Sequence, residues 1–406
     1  MKIMKTVEEH YNDVLKLGKP TAPVSIDLCH IQGHVLAENI MAKCAIPPFT
    51  NSAMDGFAVR ATDVVANTPL IVIDDVPAGG ISEKTVEPGT AIRIMTGAPL
   101  PAGADSVLKV EDTENGMANM AAVPPISVTP TAEVKQGTNV RHAGEDTQVG
   151  DLVFTPGTIL TPAHVSALSA LGYGSVQVYR QLTVGILATG KELKAAGEPL
   201  EPGTIPDSNS YLVSGLCQNA GARTKTVSLH SDEPEDFTRA FSQLASSCDL
   251  IVTTGGVSAG AFDVVKSMLK EHGVHFDKVA MQPGKPQGYG TFNGTPVLCL
   301  PGNPVSVFVS LHLFALPLLK KMHGQIPVAY ANRFTIGIAG DTWKHKTGRD
   351  QFLPAKLGAA GVIPASAGGS GSHLVGSLPR AQFLALTPSE KPVVLPGDTV
   401  QILPFL

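Results

Sequence analysis

The chain has 406 residues, 43% hydrophobic and 16% charged, with a formal net charge of −5. That length exceeds one core and predicts several domains, and the balance excludes a disordered chain. No basic tract with interleaved aromatics occurs, which argues against nucleic acid as a partner.

Residues 1–18, MKIMKTVEEHYNDVLKLG, carry charge throughout and no apolar stretch, so they predict a short amphipathic helix and not a signal peptide. Residues 46–145 have short apolar runs broken by Pro and Gly and read as mostly β. TPAHVSALSALG (161–172) predicts a helix with Thr161 as cap, Pro162 in its first turn and Gly172 at its stop. From 178 to 322 strands and helices alternate. The predicted strands are VGILATG (184–190), TKTVSLH (224–230), DLIVTTGG (249–256), VHFDKVA (274–280) and PVLCLP (296–301). The predicted helices run from Ser208 to Ala220, Asp232 to Ser246 and Asp263 to His272, and one starts at Pro304 with Asn303 as cap. Such alternation predicts a parallel sheet covered on both faces. The apolar run Val305 to Leu319, interrupted by His312 and Pro317, reads as a buried helix too short to span a bilayer, so no membrane partner is expected. Residues 330–406 alternate short strands with turns and predict a small β-barrel or sandwich. Cysteines at 29, 44, 217, 248 and 299 form no C-x-x-C pair and predict reduced thiols in a cytoplasmic protein.

The expected fold class is therefore α/β plus β, multi-domain, with a doubly wound parallel sheet. The expected domains are 1–45 plus 146–177 as a discontinuous N-terminal helical and linker unit, 46–145 as a β-rich insert, 178–328 as the α/β unit and 329–406 as a C-terminal β unit.

The strongest chemical signal is a pair of joints. IVTTGGVSAGAFD (251–263) and LCLPGNPVS (298–306) each run an apolar strand into a Gly- or Pro-rich loop and then a helix. Such a joint presents backbone N–H groups at the positive end of a helix, where oxyanions bind. Two of them suggest one crevice at the carboxyl edge of a parallel sheet. Five carboxylates lie in loops: Asp55, Asp146, Glu192, Asp207 and Asp263. Carboxylates so placed suit Mg²⁺ bridging to phosphate, and each equally suits a helix cap or a turn. Asp207 in particular directly precedes a predicted helix. Lys285, in QPGKPQGYG, is a point charge for phosphate or a solvated loop lysine. Arg349 fits an oxyanion contact or a surface ion pair. GGSGSHLVGSL (368–378) fits a backbone nest with hydroxyls from Ser370 and Ser372, or a hairpin loop.

In order along the chain stand PPFTNSAMDGFAVR (47–60), IMTGAPLPAGADSV (94–107), VRHAGEDTQVGD (140–151), ILATGKEL (186–193), TTGGVSAGAFD (253–263), PGKP (283–286) and LPGNPVS (300–306). Together they resemble the molybdopterin molybdenumtransferase family, also represented by the C-terminal part of gephyrin. The resemblance covers residues 30 to 406. It implies that adenylylated molybdopterin binds on the α/β unit, that molybdate is inserted, and that AMP leaves with a requirement for Mg²⁺. It also implies an elongated homodimer whose site is completed across subunits, with a molybdopterin adenylyltransferase and apo-molybdoenzymes as further partners. By matched position it assigns Asp55, Asp146, Glu192 and Asp263 to metal and water. Thr189, Asp207, Ser208, Gly255, Gly256, Ser258, Lys285, Pro301 and Asn303 fall to the pterin and its phosphate, and Arg349 and Ser372 to molybdate.

Three residues depart from the family pattern: Thr50 and Lys191 stand where it has Asp, and Gln282 where it has Lys. These departures motivate the alternative of a pterin-binding scaffold paralogue. A tungstate-inserting homologue is a further alternative, because the two oxyanions share size and charge. An adenylyltransferase reading is disfavoured by the two β-rich segments, which that activity does not need.

Overall fold

The computed structural model of the protein describes residues 4–229, 233–256, 264–366, 371 and 373–405, the side chains of 264 and 265 excepted. Its centre is a six-stranded sheet in the order Arg223–Leu229, Thr183–Thr189, Leu250–Thr254, Thr295–Leu300, Pro286–Phe292, His275–Lys278. The first four strands are parallel; Pro286–Phe292 is reversed and pairs antiparallel on both sides, so that His275–Lys278 again runs in the direction of the first four.

Alternate residues of the central strands enter two separate cores, as a two-faced sheet requires. Val184, Ile186, Leu250, Val252 and Leu298 join helices Asn209–Asn219 and Pro304–Met322. Leu187, Ile251, Val297 and Cys299 instead join Phe237, Phe241 and Leu244 of helix Pro234–Ala245 and Leu269 of helix Val264–Glu271.

The expectation of a wholly parallel sheet is corrected here. Strand His275–Lys278 pairs antiparallel with Pro286–Phe292, a strand that begins within the segment QPGKPQGYG (282–290) read as a loop. Its glycines conceal it, because they answer to a crowded neighbour and not to a turn. A Cβ on Gly290 would lie 2.5 Å from the carbonyl oxygen of Gly273.

The helix Val7–Lys16 opens with a reciprocal cap between Thr6 and Glu9. Its apolar side, Val7, Tyr11, Val14 and Leu15, packs into the same core as Phe314 and Leu318 of the α/β unit. Beyond the helix the paired segments are mostly extended: Pro23–Asp27 pairs with Ser175–Tyr179, and Ile40–Met41 pairs with Leu152–Phe154. They enclose a small core of Ile31, Leu36, Ile40, Leu168 and Val178, with Pro162–Ala170 as their α-helix.

Residues 46–145 contain a β-sheet. Five strands lie in the order Ser106–Lys109, Gly56–Val59, Thr90–Ile94, Leu70–Val76, Ser127–Val128. The C-terminal segment also forms a sheet, in the order Met281–Gln282, Asp350–Gly358, Phe383–Thr387, Thr399–Pro404, Thr335–Ile338, with Gly361–Pro364 hairpinned onto Asp350–Gly358. Met281–Gln282 is lent to it by the α/β segment, in parallel register with Asp350–Gln351.

Pro304–Met322 is 19 residues long and apolar enough to cross a membrane by composition, yet it lies mostly buried in the fold. It contains a π turn, Leu311–Ala315, just before Pro317. Pro317 has no N–H, so the carbonyls one turn earlier lack their helical donor. Arg333 replaces it, donating from Nη2 to the His312 oxygen at 2.6 Å and from Nη1 to the Leu313 oxygen at 2.7 Å.

Candidate functional site

Three loops meet at the carboxyl edge of the parallel strands. Thr189 ends one strand, Gly255 follows the next, and Pro301 and Gly302 follow the third. Gly255 has φ +89°, and a Cβ on it would lie 3.2 Å from the Thr189 oxygen. A Cβ on Gly302 would lie 3.5 Å from the Gly255 Cα, so the two loops touch through backbone. The Gly255 N–H donates to the Leu300 oxygen at 3.1 Å, which locks the contact. Pro301 is buried, whereas Gly302 and Asn303 are exposed and lead into helix Pro304–Met322. First-turn N–H groups of a helix have no intrahelical acceptor, so this edge is an anion-binding arrangement.

Helix Asn209–Asn219 flanks the edge. Asn209 donates from Nδ2 to the Gly302 oxygen at 2.7 Å, and its Oδ1 is a buried acceptor without a partner among the described residues. The Thr253 hydroxyl is likewise buried and unpartnered. Sequence reasoning passed over both residues. Asp207 caps this helix: its Oδ1 accepts the Ser210 N–H at 3.0 Å and its Oδ2 the Ser210 hydroxyl at 2.5 Å. The cap reading thus accounts for Asp207. Ser208 beside it is exposed.

Glu192 is exposed and folds back over Gly190, where an added Cβ would lie 2.6 Å from its Oε2. Gly256, with φ +68°, is the last described residue of its loop, and Ser258 and Asp263 lie outside the described residues. Lys285 is half-buried, and its carbonyl accepts the Val279 N–H at 2.8 Å. Arg349 donates from Nη2 to Gln282 Oε1 at 3.2 Å, while Ser372 lies outside the described residues.

Asp55 stands in the β-rich segment, and Asp146 directly follows it. The exposed Asp55 carboxylate accepts the Thr96 N–H at 2.7 Å and the Thr96 hydroxyl at 2.8 Å. These bonds hold its carboxyl pKa below the usual carboxylate range, the backbone bond contributing most. Asp146 accepts the Thr147 hydroxyl at 3.1 Å. Thr50 accepts the Ala143 N–H at 3.2 Å, so this departure keeps an acceptor in the loop. Among the described residues no three His, Cys, Asp or Glu side chains gather as a metal site. The carboxylates assigned by resemblance therefore form no metal cage among those residues.

Residues 5–172 match the MoeA N-terminal region (domain I and II), and residues 185–321 match the probable molybdopterin binding domain. The chain is 37% identical to molybdopterin molybdenumtransferase 2 of Mycobacterium tuberculosis, over 98% of this chain and 99% of that one. It is 34% identical to the molybdopterin molybdenumtransferase of Haemophilus influenzae, over 99% of each. The fold is similar to that of the molybdopterin biosynthesis moeA protein of Pyrococcus horikoshii, with a TM-score of 0.82 and 28% identity, covering 99% of this chain and 100% of that one. With loops that meet as an oxyanion edge and relatives aligned end to end, the chain belongs to the molybdopterin molybdenumtransferase family.

Proposed function

We propose that the chain inserts molybdate into adenylylated molybdopterin at the carboxyl edge of its parallel strands, with release of AMP to form molybdenum cofactor. One observation carries the reading: the Gly302 and Gly255 loops touch through backbone at that edge, beside the start of helix Pro304–Met322. A phosphate seated there meets backbone N–H groups and a helix N-terminus. Cleaving a phosphoanhydride requires the departing phosphate charge to be neutralised. The loop backbone, the helix start and Lys285 supply that, with Thr189, Ser208, Gly256, Ser258, Pro301 and Asn303 lining the pterin side. Arg349 and Ser372 take the molybdate dianion, for which a planar donor fork and a hydroxyl are suited.

Asp55, Asp146, Glu192 and Asp263 are assigned to positioning water and Mg²⁺. The described carboxylates do not gather into a metal cage. Asp55 precedes strand Gly56–Val59 and Asp146 follows strand Val140–Arg141, and neither strand belongs to the six-stranded sheet of the loop edge. That separation supports a homodimer in which a second copy brings them to the loops. We divide the chain into a β-rich insert at 46–145, a molybdopterin-binding unit at 178–328 joined by the first helix, a C-terminal β unit at 329–406, and the paired segments around them. We read the protein as cytoplasmic, receiving substrate from an adenylyltransferase and passing product to apo-molybdoenzymes.

The test is AMP release from adenylylated molybdopterin with Mg²⁺, with and without molybdate. Molybdate-dependent release, with a product that activates an apo-molybdoenzyme, is the expected result. Tight binding without release would overturn turnover and leave a binding paralogue. Preference for tungstate would mark a tungstate-inserting enzyme.

A further inference from the structure

We propose that Gln287 is a positioning residue that fixes the Lys285 loop against the helix behind the candidate site; this rests on the assignment of Lys285 to substrate phosphate. Gln287 is 1% exposed and sits on strand Pro286–Phe292. Its Nε2 donates to the Gly284 oxygen at 2.7 Å and to the Ser310 hydroxyl at 2.7 Å. A carbonyl oxygen only accepts, so the Gly284 contact itself sets which end of the amide faces the loop. Ser310, fully buried, closes the helical segment Pro304–Ser310 that begins at the Gly302–Asn303 loop.

One amide therefore ties two parts of the site together. On one side is the backbone of the residue before Lys285, and on the other the helix whose start faces the anion edge. The Lys285 carbonyl is held independently by the Val279 N–H at 2.8 Å. Lysine has a flexible stem, so the placement of its charge depends on its backbone. With Gln287 absent, the Gly284 carbonyl would lose a buried donor and the loop would lose its link to the helix.

The test is a double-mutant cycle of Gln287→Met with Lys285→Met, reading KM and kcat for adenylylated molybdopterin. Hydrogen exchange at Gly284 and Lys285 is followed in the ligand-free protein. Gln287→Met should raise KM about tenfold, as expected for one lost buried hydrogen bond, with kcat within about twofold. Exchange in the loop should quicken. In the Lys285→Met background the same change should have no further effect on KM, because it acts through Lys285. An equal loss in both backgrounds would overturn the proposal and leave Gln287 a structural residue. Should Gln287→Met not fold, Ser310→Ala in the same cycle should give a smaller shift of the same kind, and unchanged KM and exchange there would overturn the proposal. If Lys285→Met alone leaves KM unchanged, the phosphate assignment fails and the proposal falls with it.

Discussion

Arg349 donates from Nη2 to Gln282 Oε1 at 3.2 Å, across the parallel pairing that joins the α/β segment to the C-terminal sheet. By the family resemblance Gln282 stands in place of a lysine that would contact phosphate. In the structure it is the acceptor for an arginine, a role lysine cannot fill, since an ammonium has donors only. Gln282→Lys should therefore fail to raise activity. It would place two cations together and remove an acceptor, costing about 1 kcal/mol locally. Steady-state kinetics with molybdate varied would check this, with a higher KM for molybdate expected. A gain in kcat/KM would show that the Arg349 contact is dispensable.

Arg333 makes a second prediction. Its guanidinium serves two carbonyls of the π turn and stands 4.9 Å over the Tyr11 ring. Arg333→Met keeps the stem and leaves both carbonyls without their donor. Bonds to a charged donor contribute about 1.5–3 kcal/mol each, so a loss of about 3 kcal/mol is expected after partial relaxation. Arg333→Lys can serve one carbonyl and should recover part of it. Urea midpoints compare the three proteins, and a Met variant as stable as the parent would refute the account.

The parallel strands were legible because buried central strands read as apolar runs: ILAT, LIVTT and VLCL announce themselves. Strand Asp350–Gly358 escaped notice because Pro354 interrupts it, although Pro354 pairs with Leu384 inside the sheet. Met281–Gln282 is two residues long, too short to carry any pattern. The anion loops were visible for the same reason as the strands, being their Gly- and Pro-marked ends. Asn209 and Gln287 were not, because their roles exist only through partners 93 and 23 residues away. A carboxylate in a Gly-rich loop suggested metal at Asp55, Asp146 and Asp207 alike; in the structure Thr or Ser donors engage all three, the one at Asp55 from Thr96, 41 residues away.

Asp207 separates a cap from a ligand. Both its oxygens are taken up by Ser210 at the start of helix Asn209–Asn219. Asp207→Asn keeps a capping oxygen and should leave stability and turnover nearly unchanged. Asp207→Ala should cost about 1 kcal/mol of stability, the usual effect of a lost N-cap. Thermal melts and KM for adenylylated molybdopterin are the measurements. A large KM increase in Asp207→Asn, with stability intact, would show that the carboxylate contacts substrate.

Of four buried histidines whose pKa burial lowers, His10, His312 and His323 are shifted furthest and His345 is lowered in the same direction. Burial pushes His10 and His312 down to about 3, with Lys5 and Arg333 nearby adding to the effect, and His323 down to about 4. His323 must also stay neutral to accept the Leu182 N–H on Nε2 at 3.3 Å. In the unfolded chain all three return to about 6.5. The folded values are depressed, so their contribution is fully present above about pH 6.5 and is lost as pH falls towards the folded values. In that window these three groups take up as many as three protons on unfolding, and each steepens the loss by about 1.4 kcal/mol per pH unit. Denaturant unfolding at about pH 7 and about pH 5 should show this fall. His10→Phe keeps a ring beside Tyr289 and Phe314 and removes one titrating group. Its stability should fall less steeply with acid, by about one proton's slope. An unchanged slope would mean that His10 is charged in the folded protein.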